Sequence, residues 1–382
     1  MSDHILWLAV TPTPYNNFLF DRISDHSPGS LRVLFGAPGI PDGTWPEPSP
    51  LPPWWGGYYS NKPKLTTVRD LVRQNAALTV VAGWGNSTLR VALLALLLLR
   101  RRYVIWTDTP NCSETARHKL RNVVVRLLAA RARAVMSTGK MGVDSVRKMG
   151  LPQGKIINFP YWVPLPSDVT PGRRTRDLVR FCCVGRLVRR KNSASAIRAL
   201  ALIPDHAVRL DIIGSGPELE GLRRLAGESG VEDRVRFLGF LDHIEVARYF
   251  KNEGDCLIHP ADNLEPFGVV IAEAMAFGLP VIASEFCGAA VDRIRDGENG
   301  FLLPSPVDPE SLAERMKVFA NCPEKIAIVG AAARRTAEQW PVERGIELLM
   351  GLAFEQREWS RAASDSAFES SGSPERANQN AL

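Results

Sequence analysis

The sequence predicts an α/β protein built from two doubly wound, Rossmann-like parallel sheets that face a central cleft. Three observations carry this expectation. Apolar runs of strand length alternate with helical patterns through residues 5–160, and the same alternation restarts at Val179. A stretch rich in Pro, Gly and Arg, residues 162–176, separates the two series and reads as a linker. Loops dense in glycine, proline or charge follow several strands, where open α/β sheets carry their ligands. At about 150 residues per domain, a chain of 382 residues holds two to three domains. The expected division is 1–165, a linker at 166–178, and 179–341.

In order, residues 5–10 (Ile-Leu-Trp-Leu-Ala-Val) read as a buried strand. The turn residues Thr11-Pro-Thr-Pro-Tyr-Asn-Asn stop it, and a helix is expected from Phe18. Residues 31–36 form a second strand. Residues 38–64 scatter Trp45, Trp54, Trp55, Tyr58 and Tyr59 among prolines and read as a long aromatic loop, a kind of loop that is often functional. Strands then fall at 77–83, 103–107, 134–138 and 155–160, with helices at 87–101, 118–133 and 140–149. In the second series strands are expected at 179–185, 208–214, 235–239, 255–260 and 280–284. Helices are expected at 193–202, 217–227, 268–277, 310–319, 323–339 and 342–359. A Ser/Ala/Glu/Asn-rich stretch at 360–382 reads as disordered.

Composition excludes several classes. A chain 45% hydrophobic and 23% charged is neither collagen-like nor wholly disordered. The longest apolar run, residues 91–99, is far short of the ~20 residues a bilayer span needs. Six scattered cysteines lack C-x2-C spacing, so neither a zinc site nor a disulfide scaffold is expected. A reducing, cytoplasmic setting fits, and the N-terminus lacks the basic region of a signal peptide. Residues 1–170 carry a net charge of +10 and residues 171–382 a net of −4. The basic half points to an anionic partner, or else reflects the chain's preference for arginine. Basicity alone supports a nucleic-acid binder, and none is expected.

Three strand-end loops carry candidate chemistry. Val184-Gly185-Arg186-Leu187-Val188-Arg189-Arg190-Lys191 places four cations just past a strand. Gly185 would let a ligand approach the backbone. Arg186 as a fork and Lys191 as a point charge suit a diphosphate; a solvated charged loop is the alternative. Ile213-Gly214-Ser215-Gly216-Pro217 is Gly-rich, but Gly221 lies too far along for a dinucleotide fingerprint, and Pro217 favours a simple helix start.

The third loop is the sharpest. Glu265 precedes, and Glu273 sits inside, an apolar helix opened by Phe267-Gly268-Val269 and closed by Gly278. Its first N–H groups favour an anion. A carboxylate in such a helix needs hydrogen-bond partners, either protein groups or the hydroxyls of a sugar or ribose. His259 ends a strand at the cleft, within reach of a phosphate. Neither it nor His118 has metal-ligand spacing, and no metal is expected.

Taken together, these motifs in residues 184–319 resemble the donor domain of a family 4 glycosyltransferase of GT-B fold. The matching pieces are Val184-Gly-Arg-Leu with Lys191, Ile213-Gly-Ser-Gly-Pro, Val235-Arg-Phe-Leu-Gly, the Glu265/Glu273 pair, Gly278-Leu-Pro-Val and Asp296-Gly-Glu-Asn-Gly-Phe301. The resemblance implies a retaining, metal-independent transfer from a nucleotide-diphosphate sugar to a carbohydrate or lipid-linked acceptor, in surface polysaccharide or glycoconjugate assembly. It implies that Arg186 and Lys191 bind the diphosphate, with Gly185 and Gly214 alongside. Glu265 would meet the sugar, and Glu273 the ribose. Backbone of Phe267, Gly268 and Val269 would face the phosphate, and Leu238 and Gly239 would lie near the base. The helix at 342–359 would cross back to the first domain.

Three departures stand out. Asn16 and Asn17, on the acceptor side, replace the family's paired glycines. Asp108 stands in the loop where relatives place a histidine, either as a sugar contact or as a turn residue. Asp292 occurs near the family's Gly-Gly-x-Pro-Glu turn. The basic helix 118–133, with Arg121, Arg126, Arg131 and Arg133 among aliphatics, suits either the sheet or a peripheral place on an anionic membrane surface. A same-fold epimerase or hydrolase and an inactive scaffold are the rival readings.

Overall fold

The computed structural model describes residues 4–37, 49–59, 64–110, 116–169, 178–204, 207–262 and 265–354. The first lobe opens with β1 (Ile5–Ala9), α1 (Pro14–His26), β2 (Leu31–Phe35), β3 (Trp55–Tyr58), α2 (Lys64–Gln74), β4 (Leu78–Ala82) and α3 (Ser87–Leu98). It continues through β5 (Tyr103–Thr107), α4 (Ala116–Arg131), β6 (Ala134–Ser137), α5 (Gly139–Lys148) and β7 (Ile156–Asn158). These strands form one sheet in the order β3-β2-β1-β4-β5-β6-β7, every pair parallel.

The second lobe runs β8 (Val179–Val184), α6 (Ser193–Ala201), β9 (Val208–Ile213), α7 (Leu219–Glu228), β10 (Val235–Gly239), α8 (His243–Asn252) and β11 (Cys256–His259). Then come α9 (Val269–Ala276), β12 (Val281–Ser284), α10 (Gly288–Arg293), β13 (Gly300–Leu303), α11 (Pro309–Asn321) and α12 (Glu324–Glu338). Its sheet is parallel too, in the order β10-β9-β8-β11-β12-β13.

Strands covered on both faces must be apolar throughout, which is why β1 and β5 read as unbroken hydrophobic runs. In β1, Ile5 and Trp7 face Phe20 of α1, while Leu6 and Leu8 face Leu93 of α3 and Leu128 of α4. The last helix, α13 (Val342–Phe354), leaves the second lobe and packs Ile346, Leu349 and Leu352 into the Trp7–Phe20 core of the first. Its Glu343 pairs with Arg22 of α1 at 2.8 Å.

Several elements differ from expectation for local reasons. α1 starts at Pro14 rather than Phe18, because Thr13 Oγ1 accepts the Asn16 N–H at 3.3 Å and Pro14 suits the first turn. Part of the expected aromatic loop is the edge strand β3, anchored by buried Trp54, whose Nε1 donates to Asp21 at 2.7 Å. Residues 38–48 and 60–63 of that loop, and residues 170–177 of the expected linker, lie outside the described residues. The polar helices α2 and α8 were not anticipated, although Asp242 and Glu245 form a capping box on α8. α7 starts at Leu219, since the Glu218 N–H donates to Leu187 O at 3.0 Å and holds Pro217 in the preceding turn. The expected tail at 360–382, the end of the last helix and Cys112 fall outside the described residues. Cys182, Cys183, Cys256 and Cys287 are buried free thiols.

Candidate functional site

In the second sheet the chain leaves β8 for β9 on one side and places β11 on the other. The loops after β8 and β11 therefore diverge at the carboxyl edge and open a crevice between them. Both loops carry the charges singled out in the sequence.

The loop after β8 is tied down on two sides. Towards β9, the Gly185 N–H donates to Ile213 O at 2.9 Å, and the Gly214 N–H donates to Gly239 O at 2.7 Å. Gly214 has φ +138°, and a Cβ there would lie 1.9 Å from Gly185 O, so only glycine permits the two turns to meet. Towards β11, Asn192 turns the chain into the left-handed region, donates from Nδ2 to Asp262 Oδ1 at 2.5 Å, and opens α6. The Asp262 N–H in turn donates to Arg190 O at 3.1 Å.

This bracing delivers two cations to one carboxylate. Glu265, almost fully buried, receives Lys191 Nζ at 2.8 Å and pairs with Arg190. Its backbone N–H donates to Phe286 O at 2.9 Å and its carbonyl accepts from the Gly288 N–H at 3.1 Å, so the carboxylate stands on a fixed strand-like segment. Burial pushes the Glu265 carboxyl upward, but Lys191 and Arg190 outweigh it and hold it below the usual range.

His259, buried at the end of β11, is pushed down to about 3 by burial and by Lys191. It is neutral at physiological pH, and its Nε2 has no hydrogen-bond partner in the protein. Gly268, at φ +79°, caps α9. A Cβ there would meet Cys287 Sγ at 2.4 Å and stand 3.5 Å from both His259 Nε2 and Glu265 Cγ. The start of α9 is thus open backbone beside a neutral imidazole and a cation-bound carboxylate. One turn and more along α9, half-buried Glu273 has its carboxyl pushed up to about 7 by burial. Leu238 and Gly239 end β10 beside the Gly214 turn, and Val269 is half-buried at the first turn of α9.

The first lobe faces this crevice with the loop after β5. Asp108 accepts from Tyr161 OH at 2.8 Å and from Thr138 Oγ1 at 3.0 Å. Next to it, Thr109 Oγ1 donates to Pro266 O of the Glu265 loop at 3.4 Å. The Tyr161 ring lies 4.6 Å from that of Tyr15 and 5.5 Å from that of Phe267. The Tyr15 hydroxyl is raised above its ordinary range by burial and then, against a hydrogen bond to Thr13, by Asp108, Glu273 and Glu265. Tyr15 therefore stands within the field of all three acids. Asn16 is buried on α1 beside it, and Asn17 Oδ1 is buried without a partner.

A second contact pins the lobes together. Asp292 accepts the Lys140 N–H at 2.9 Å at the start of α5, and burial pushes its carboxyl up to about 6. Buried Arg293 donates to Tyr161 O at 3.1 Å and stacks over Phe267 and Trp340. Asp292 thus joins the lobes rather than facing the crevice between β8 and β11.

Of the residues expected from sequence, Lys191, Glu265, His259 and Gly268 converge, with Gly185, Gly214 and Gly239 forming the floor. Arg186 is exposed near the start of the same loop, and the ion pairs on Glu265 are made by Lys191 and Arg190. Arg190, Tyr15 and Tyr161 were missed. The run Arg189-Arg190-Lys191 was the available signal for the first; nothing local marked the tyrosines. Among the described residues, no three His, Cys, Asp or Glu side chains are gathered to hold a metal ion.

Two facing Rossmann-like lobes, with a C-terminal helix returning to the first, constitute the GT-B fold. Residues 173–336 match the family model described as glycosyl transferases group 1. The chain is 31% identical over 294 residues to a D-inositol 3-phosphate glycosyltransferase of Streptomyces avermitilis, covering 70% of this chain and 61% of that protein. It is 35% identical over 168 residues to the lipopolysaccharide core biosynthesis glycosyltransferase LpsE of Rhizobium meliloti, covering 44% of each. It thus spans less than two thirds of either relative. Among solved structures, Anabaena HepE in complex with UDP superposes with a TM-score of 0.73 at 22% identity, over 91% of this chain and 98% of that one.

Proposed function

We propose that this chain is a retaining glycosyltransferase that needs no metal ion and moves a hexose-type sugar from a nucleoside-diphosphate donor to a carbohydrate or lipid-linked acceptor in glycoconjugate assembly. The observation that carries the reading is the convergence of Lys191 and Arg190 on Glu265, beside the open start of α9. An incoming diphosphate competes for these cations and lies against the α9 N–H groups. Glu265, released in part, accepts from sugar hydroxyls. Glu273 accepts from the ribose diol.

When the bond from the anomeric carbon to the phosphate oxygen breaks, negative charge grows on the leaving diphosphate. Fixed cations and helix-end donors stabilise that charge more than the ground state. The acceptor oxygen attacks the same face and passes its proton to the departing phosphate oxygen, so no enzyme nucleophile is required. Asp108, Tyr161 and Tyr15 line the facing wall and position the acceptor and sugar. A lipid-linked acceptor would set the reaction at the cytoplasmic face of a membrane. None of the described helices is long and apolar enough to cross one.

Calorimetry with UDP, GDP and their sugars tests the donor site: one of them should bind, and indifference to all would end the proposal. The pH dependence is a sharper check. The Glu273 carboxyl is pushed up to about 7, and the diol prefers its ionised form. Binding of a nucleotide sugar, whose phosphates do not titrate near neutrality, should weaken about tenfold per pH unit below that point. Glu273→Gln should flatten the profile. A wild-type profile already flat from acid to neutral pH would remove Glu273 from the nucleotide site.

A further inference from the structure

The outward faces of α3 and α4 take no part in the site, yet they are apolar. Of the fifteen large hydrophobic side chains exposed among the described residues, six lie there: Leu94, Leu98 and Leu99 on and after α3, and Val123, Val124 and Leu127 on α4. Leu98 and Leu127 are 73% and 64% exposed. The opposite faces of the same helices are already committed, with Leu89, Leu93 and Leu96 and with Val125, Leu128 and Ala129 in the core. Each helix is apolar on two sides, and the sheet covers only one.

The exposed residues follow helical spacing. Leu94 and Leu98 are one turn apart, as are Val123 and Leu127, and the two helices pack side by side. Exposed Arg90 precedes the α3 stripe, and exposed Arg100 and Arg102 follow it; exposed Arg131 borders the α4 stripe. Acid is missing from both segments: no Asp or Glu occurs between Asp70 and Asp108, or between Glu114 and Asp144.

We infer that the paired outer faces of α3 and α4 dock this protein on an anionic phospholipid bilayer. The inference goes beyond the proposed transfer reaction and does not rest on it. Leucines and valines on helices lying flat enter the acyl boundary, while arginines bury their stems and keep their heads at phosphate level. Acidic headgroups then neutralise a face that carries cations only. A second copy seated on this face would oppose arginine with arginine, which disfavours it. A protein partner is a poorer match, because neither outward face offers an aromatic anchor among the described residues.

Co-sedimentation of the full chain with phosphatidylcholine vesicles, with and without phosphatidylglycerol, decides the matter. Binding is expected to the anionic vesicles at low salt and to weaken as salt rises. Leu94→Glu with Leu98→Glu, and separately Val123→Glu with Leu127→Glu, should each lower the partition about tenfold or more. Arg100→Gln with Arg102→Gln should lower it too and flatten the salt dependence. All three variants should melt with the wild type, since these side chains stand outside the core. Wild-type protein that ignores anionic vesicles at low salt overturns the inference, as do folded variants that bind like wild type. So does a dimer in light scattering that the α3 variant dissolves, which would give the face to a second copy.

Discussion

Lys191→Ala should slow sugar transfer by about 10²–10³-fold, the usual loss when one preorganised charge partner of a developing anion is removed. The fall should appear in kcat, because the lysine gains most as the diphosphate departs. Nucleotide release is the readout, with a donor that calorimetry has shown to bind. Glu265→Gln should match the loss by another route. Lys191 and Arg190 would lose the carboxylate that gathers them, and the sugar would lose a charged acceptor. Neither change should cost the fold, since Arg190 still faces Glu265 in the first variant and glutamine keeps the shape in the second. Rates within a few-fold of wild type in both would take this group out of the chemistry.

The largest stability effect is expected away from the crevice. Asp211 on β9 is fully buried and receives Arg236 through two bonds, at 2.8 and 2.6 Å, Arg180 at 3.2 Å and Tyr249 OH at 2.6 Å. Asp211→Ala would strand Arg180, which is itself mostly buried, and leave a buried hydroxyl without its acceptor. Breaking such a group from one side costs about 3–5 kcal/mol, to be read from urea unfolding. The sign with pH follows from the carboxyl. Burial raises it, but Arg236, Tyr249 and Arg180 outweigh that and hold it below the ordinary value. Its stabilisation is therefore present at neutral pH and disappears as pH falls through the lowered folded value. The variant should lose part of the wild type's acid limb. A cost below about 1 kcal/mol would mean that the cluster behaves as a solvated surface pair.

Much of the site was legible in the chain because its parts are local. The spacing of Glu265 and Glu273 follows from one loop and one helix, and Gly268 marks that helix's start. Choosing among Arg186, Arg189, Arg190 and Lys191 was a different matter. The left-handed turn at Asn192, bonded to Asp262, swings the end of that run, Arg190 and Lys191, onto Glu265. Composition likewise showed a basic first half without showing where its apolar surface lay.

Alternating apolar and polar residues determined by themselves that the chain forms two series of strands and helices, since burial of each element depends on its own period. Which side chains meet was decided by sheet order, which sets β8 against β11 and so brings Arg190 to Glu265 across 75 residues of chain. The same holds for Tyr15, Asp108 and Tyr161, which come from three separate segments. No pattern within any one of them encodes the others, because a hydrogen bond or a ring contact depends on distance in space rather than on position along the backbone.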